Sequence, residues 1–425
     1  MKIAVVGGGW SGMAAAVAAV QAGHQVTVWE ASRTLGGRAR ALPATLPDGT
    51  PVLLDNGQHI LIGAYSECLR LMALVGVDPA RSLLRMPLSL RFPNGDGIAL
   101  PRWPFPLDAL AGILSARGWD WRDKLALVLQ ALRWQVGSFG CAPGLSVADV
   151  CRDLTPRVRA ELIEPLCVSA LNTVAAESSG AVFLRVVRDA VFGASGSSNM
   201  LLPMVDLSKL FPSAAAAWLT QHGSTLHVGT RVQALEQDGD RWSIDCETYD
   251  QVLLAVAPTD AVHLVQASLP RWNGATQHNT GHWLDLTRQL RHMPIATVYA
   301  WSANARLPRP MLALRSGPAQ FVFDRGQLGG PAGLLAFVIS ASEGDRAALQ
   351  VQVLQQAQDQ LGLQLMAVQT VVEKRATIAC TPGLQRPSME VASGLLACAD
   401  YVDGPYPSTL EGSVRTALAC VAAIR

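Results

Sequence analysis

Three glycines at fixed spacing, and an acid downstream of them, are the residues of this chain best suited to chemistry. Gly7, Gly9 and Gly12 stand at the G-x-G-x-x-G spacing, and Glu30 ends the second apolar run that follows. Gly7 permits a tight turn, Gly9 lets a phosphate approach the main chain, and Gly12 lets a helix pack close to a strand. A helix starting here, with Ser11 in its first turn, aims unpaired N–H groups and the positive end of its dipole at a pyrophosphate. Glu30 is placed to accept hydrogen bonds from ribose hydroxyls and to repel a 2′-phosphate, which disfavours NADP. The positioning elements are legible around these residues. Ile3–Val6 predicts a buried strand, Met13–Ala22 a helix of small residues, and Gln25–Trp29 a second strand. Strand, glycines, helix, strand and acid, in that order, are what a dinucleotide site requires, whereas an ordinary glycine-rich turn needs only the glycines.

Composition narrows the class. The chain has 425 residues, enough for two or three domains, with 50% hydrophobic and 16% charged residues and a formal net charge of +1. That balance argues against a nucleic-acid binder. The uncharged run Ile3–Trp29 is explained by the strand–turn–helix pattern rather than by a membrane span, and glycines interrupt any signal-peptide core, so a cytoplasmic protein is expected. None of the eight cysteines stands at C-x-x-C spacing or near a histidine at metal-site spacing. Neither a structural metal nor a disulfide framework is expected.

Just past the acid, Leu35-Gly36-Gly37-Arg38 resembles the second glycine turn of the flavin oxidoreductases of the amine oxidase and phytoene desaturase superfamily. The resemblance implies FAD, with Gly37 and Arg38 near the pyrophosphate; taken alone, Arg38 would read as a surface cation. Asp55-Asn-Gly57-Gln58-His59-Ile-Leu-Ile-Gly63, Asn199–Leu210 and Phe321–Gln327 resemble one branch, the hydroxysqualene dehydroxylases. The matching stretch of the superfamily carries Gly57 and Gln58 to the flavin ring. His59 reads either as cavity-lining or as a hydrogen-bonded core histidine. The resemblance further implies main-chain contact to the adenine at Val232, the pyrophosphate near Ala257, a ribityl or pyrophosphate role for Asp400, and the flavin ring over the helix start at Thr409 and Leu410. Cys398-Ala399 departs from the superfamily's Ala-Gly before that aspartate.

The fold class implied is α/β: a Rossmann-like FAD domain assembled from residues 1–80, 211–270 and 386–425. A cap over 81–210 and a substrate domain with an antiparallel sheet over 271–385 are inserted into it. The activity implied is reductive removal of the hydroxyl of hydroxysqualene, a polyprenyl lipid, to give squalene. The electron donor is unidentified. A proton donor is needed, and His59, Asp55, Asp324 and Tyr401 are the candidates. The rivals are a desaturase or amine oxidase on the same fold, and a prenyl-lipid binding module without catalysis.

Several finer expectations follow. Trp103–Leu107 is a packed cap loop or a lip dipping into a membrane interface, and Trp121–Val136 is a helix. Glu161 and Glu164 share a helical face and read as two solvated acids rather than as a carboxylate pair. Thr225–Leu235 is a strand, and Asn273–His292 is a solvated loop whose three histidines make no metal triad. Asp324 and Arg325 form an ion pair at a turn. Ser408 and Glu411 have capping-box spacing at the last helix.

Overall fold

The computed structural model describes residues 1–424, without the side chains of Ala275, His278 and Asn279. Its centre is a six-stranded sheet in the order Thr225–Val228, Gln25–Glu30, Lys2–Val6, Gln251–Leu254, Leu395–Ala397, Glu390–Ala392. The first five strands run parallel, and the last pairs antiparallel to its neighbour. Strands distant in sequence therefore end side by side along one sheet edge. The helix Trp10–Gln21 has every residue from Trp10 to Ala19 buried. Its alanines let it lie between the sheet and the C-terminal helix Leu410–Ala423, and a helix buried on all sides carries no polar face.

A second sheet has the antiparallel order Met311–Ala313, Phe321–Asp324, Leu334–Ser340, His292–Trp301, Met366–Ile378. Alternation divides its side chains between two faces. Ala296, Val298, Leu335 and Phe337 pack under the helix Arg346–Leu361. Tyr299, Phe321, Phe323 and Val338 point the other way, into the core shared with the cap. The cap itself is helical, with Leu107–Leu114, Trp121–Val136, Glu164–Leu171 and Gly180–Val191 as its main members.

Several expectations are corrected. Asn273–His292 is largely a helix, Gly274–Arg288, capped by the Asn273 side chain accepting from Thr276 N at 2.9 Å and buried through Trp283 and Leu284. His278 lies outside the described side chains, and His282 is exposed. The strand from Thr225 stops at Val228, because Gly229 turns at φ +78°. Glu161 is no solvated acid: it accepts from Trp119 Nε1 at 2.8 Å and pairs with Arg315 at 2.7 Å. The last helix is capped by Thr409, whose hydroxyl accepts from Gly412 N at 2.9 Å. Glu411 turns away from that cap and accepts from the Cys68 and Glu67 main chain.

Candidate active site

One cavity of about 720 Å³ runs from the carboxyl edge of the parallel sheet to the face of the antiparallel sheet. At the first end, Val6 pairs with both Trp29 and Leu254, so the residues that follow these three, Gly7, Glu30 and Ala255, converge. The turn is packed to its limit on one side. A Cβ on Gly12 would lie 1.8 Å from the Gly7 carbonyl oxygen, and one on Gly7 would lie 2.4 Å from that of Ala255. Gly12 thus sits behind the cavity wall, holding helix to strand. Gly9 differs: a Cβ there would meet only Gly37 Cα, at 3.8 Å, and would project into the cavity.

Two bare glycine turns, at Gly9 and Gly37, therefore lie side by side in the cavity floor. No side chain caps the helix beginning at Trp10. Its first-turn N–H groups are left for an anion. The Ser11 hydroxyl is spent on the Cys398 and Ser413 carbonyls and ties this turn to the C-terminal segment. Glu30 accepts from Gly8 N and Ser32 N, each at 2.6 Å. A carboxylate has about four lone-pair sites, so two remain for hydroxyls. Val232 and Ala257 complete this end of the wall.

In the middle, Arg38 Nη2 donates to both carboxylate oxygens of Asp400 at 2.7 Å, and Nη1 donates to the Ala376 carbonyl at 2.6 Å. Burial works against the Arg38 charge, but Asp400 outweighs it and the guanidinium pKa is raised. Thr409 and Leu410 bring the start of the last helix to the same wall. Gly57, Gln58 and His59 also line it. The contact between His59 Nδ1 and the Gly57 carbonyl is 2.9 Å, so Nδ1 must carry the hydrogen. Burial lowers the His59 pKa. The ring is therefore neutral, with an unprotonated Nε2, and at rest it has no spare proton to donate.

The far end is apolar. Leu88, Leu90, Phe183, Val187, Phe321 and Phe323 form a chamber between the cap helices and the antiparallel sheet.

Three of the four residues expected to supply a proton stand off the cavity wall. Asp55 is buried behind it, accepting from Leu207 N at 2.8 Å with Arg325 at 3.6 Å. Burial raises its pKa to about 6. Asp324 is consumed as a cap, accepting from Leu307 N at 3.0 Å and from Gln327 Nε2 at 2.8 Å. It does not pair with Arg325, which reaches Gln58 instead at 3.1 Å. Tyr401 is fully buried against Trp283, and burial pushes its hydroxyl pKa well up. A group that transfers a proton to substrate must reach it, and these three do not.

The wall carries groups that sequence reasoning missed. The Tyr406 hydroxyl donates to Asp189 at 2.8 Å, and Asp189 is also held by Arg188 at 2.7 Å. Burial, then the Asp189 carboxylate, raises the Tyr406 pKa, so Tyr406 keeps its proton. No local pattern joins residues 217 positions apart. Asn172 was missed as well. It sits at φ +49° and binds Met293 O, Pro294 O, Thr377 Oγ1 and Ala341 N, pinning the cap to the antiparallel sheet beside the cavity.

Residues 5–73 match the model of an NAD(P)-binding Rossmann-like domain. A hydroxysqualene dehydroxylase of Sinorhizobium fredii is 24% identical over 443 residues, covering 98% of this chain and 96% of its own length. One from Rhodopseudomonas palustris is 26% identical over 445 residues, covering 97% and 95%. Among solved structures, cyclohexylamine oxidase from Brevibacterium oxydans aligns with a TM-score of 0.63 at 16% identity, over 100% of this chain and 98% of its own. That last likeness is one of fold. The chain thus has a Rossmann-like domain within an amine oxidase type of α/β architecture, and it is an oxidoreductase.

Proposed function

We propose that this chain uses FAD to remove the hydroxyl of hydroxysqualene reductively, giving squalene. The observation that carries the reading is the single cavity joining a glycine-lined dinucleotide end to an apolar chamber. The full-length similarity to hydroxysqualene dehydroxylases supports the choice of substrate. The residues present fit an FAD. The opening at Gly9 and Gly37 admits a pyrophosphate, the uncapped helix start faces it, and Glu30 retains acceptor capacity for the ribose. Arg38, held by Asp400, brings a cation to the same wall.

FAD, when bound and reduced, supplies a hydride. The tasks left to the protein are to hold the polyprenyl chain, exclude water and protonate the departing hydroxyl. One hydride on carbon and one proton on oxygen balance the loss of water. Of the wall groups, His59 rests neutral, whereas Tyr406 bears a proton and is oriented by Asp189. Tyr406 is therefore the proton donor in this reading; Asp189 orients its hydroxyl, and the neighbouring Arg415 and Arg188 offset the negative charge left when the proton goes.

The test is to photoreduce the purified protein without oxygen, add hydroxysqualene and follow the lipid by mass spectrometry. Squalene is expected. No squalene, with substrate unchanged, sinks the reading, and oxygen-dependent desaturation of a polyene would favour the opposite hydride direction.

A further inference from the structure

The cap carries two apolar stripes that folding does not use. On the helix Trp121–Val136, the residues buried against the protein are Asp123, Leu127, Gln130 and Trp134. Trp121, Leu125, Leu129, Leu132 and Val136 are all exposed, Trp121 at 67% and Val136 at 88%. At 3.6 residues per turn these five fall within an arc of about 80°, on the side opposite the buried face. The neighbouring helix Leu107–Leu114 repeats the arrangement. It packs through Gly112 against Leu100 and exposes Leu107, Leu110 and Leu114. Trp103, 58% exposed, stands just before it. Contiguous exposed apolar surface of this kind marks an interaction site rather than ordinary surface scatter.

The charges around the stripes select the partner. Between residues 102 and 136 the cations are Arg102, Arg117, Arg122, Lys124 and Arg133. The acids are Asp108, Asp120 and Asp123, of which Asp108 and Asp123 are buried, while Asp120 and Asp123 form the helix capping box. On the longer helix Arg122 and Arg133 flank one side of the stripe, Arg133 paired with Asp153 at 2.9 Å, and Lys124 flanks the other. Apolar residues bordered by long cationic side chains, with tryptophan at the helix start, suit a helix lying in an anionic lipid interface. The patch also connects to the cavity. Phe105, beside Trp103, packs on Phe192 with ring centroids 5.5 Å apart, and Phe139, just past the longer helix, packs on the same ring at 4.8 Å. Phe192 directly follows Val191, the last residue of the cavity-lining helix Gly180–Val191.

We infer that Leu107–Leu114 and Trp121–Val136 dock the protein on the surface of an anionic bilayer, with Phe105, Phe139 and Phe192 lying between the bilayer and the apolar chamber. The docking does not depend on which lipid is the substrate, so it can fail or stand independently of the proposed reaction.

The test uses the full-length flavoprotein, sedimented with phosphatidylcholine vesicles or with mixed phosphatidylcholine–phosphatidylglycerol vesicles at low and high salt. The expected result is binding to the mixed vesicles, weakened by salt, with much less binding to phosphatidylcholine alone. The double variant Leu125→Glu/Leu129→Glu, with unchanged melting temperature and flavin content, loses partitioning by about tenfold or more, the scale of two leucines withdrawn from an apolar phase. Should that variant not fold, the single variant Trp121→Ser is expected to weaken binding by several-fold. Three results overturn the inference: wild-type protein that binds neither vesicle, a folded double variant that binds like wild type, or a wild-type dimer in sedimentation velocity that the substitutions dissolve while vesicles capture nothing.

Discussion

Gly9→Ala and Gly12→Ala differ by three positions in one turn, yet the structure assigns them opposite consequences. At Gly9 the backbone is extended, at φ −76° and ψ −177°, which alanine adopts freely. Its new methyl would have one neighbour, Gly37 Cα at 3.8 Å. The fold is therefore expected to tolerate it, with a gain of up to about 0.5–1 kcal/mol from the stiffer unfolded chain. The methyl would, however, occupy the point of closest approach for a pyrophosphate. Overpacking there costs about 1–3 kcal/mol, or roughly five- to 150-fold in Kd for FAD. At Gly12 the methyl would sit 1.8 Å from the Gly7 carbonyl oxygen, a main-chain atom that cannot swing aside. The helix must move off the strand, so both stability and binding fall. The assay is a melting curve of each apoprotein together with a flavin titration followed by fluorescence. Gly9→Ala with wild-type FAD affinity would refute the assignment of this opening to the cofactor, and so would Gly9→Ala melting as low as Gly12→Ala.

Three further outcomes are expected. Asn172→Ala removes four main-chain and side-chain partners from a buried site and should cost about 3 kcal/mol in urea unfolding; a change below about 1 kcal/mol would show that the cap is held elsewhere. Asp55 is raised by burial from 3.8 to about 6, so the folded state binds its proton more tightly than the unfolded chain. Its contribution to stability is present below the ordinary carboxylate pKa and is lost as pH rises through about 6, on the order of 2–3 kcal/mol. Asp55→Asn should flatten that slope between about pH 4 and about pH 6.5, and an unchanged urea-midpoint profile would contradict it. Tyr406→Phe should lower turnover by about a hundredfold or more while leaving FAD affinity alone, whereas His59→Gln should not lower it comparably; the reverse ranking would move the proton to His59.

The dinucleotide end was readable because its parts lie within one short segment and each part has a local physical cause. A tight turn, a close backbone approach and a close helix contact each demand glycine, and the two flanking apolar runs can only be strands of a buried parallel sheet. The substrate end was less legible. Phe183, Leu88 and Phe323 look like any core residues until three separate elements bring them to one chamber. Acids were misjudged for a related reason. Asp55 and Asp324 stand in polar clusters that suggested chemistry, but main-chain N–H groups claim both. The Ser408–Glu411 spacing suggested a capping box, but Ser408 turns to φ +55° and accepts from Ile378 N, leaving Thr409 to cap. The helix Gly274–Arg288 was missed because its polar composition outweighed the Asn273 cap signal. The exposed leucine stripe was hidden because the pattern of Trp121–Val136 does not say which face packs: the leucine-rich face is the outer one, while the buried face carries Asp123 and Gln130 beside Leu127 and Trp134.

A single anaerobic turnover of the reduced flavoprotein with hydroxysqualene in D₂O tests the proposed reaction most directly. The hydrogen at the reduced position of the flavin exchanges with solvent, so hydride delivery from it must place one deuterium on carbon. The expected product is squalene carrying a single deuterium at the former hydroxyl-bearing carbon, formed as the flavin is reoxidised. Unlabelled squalene, or a flavin that stays reduced beside intact substrate, would contradict it.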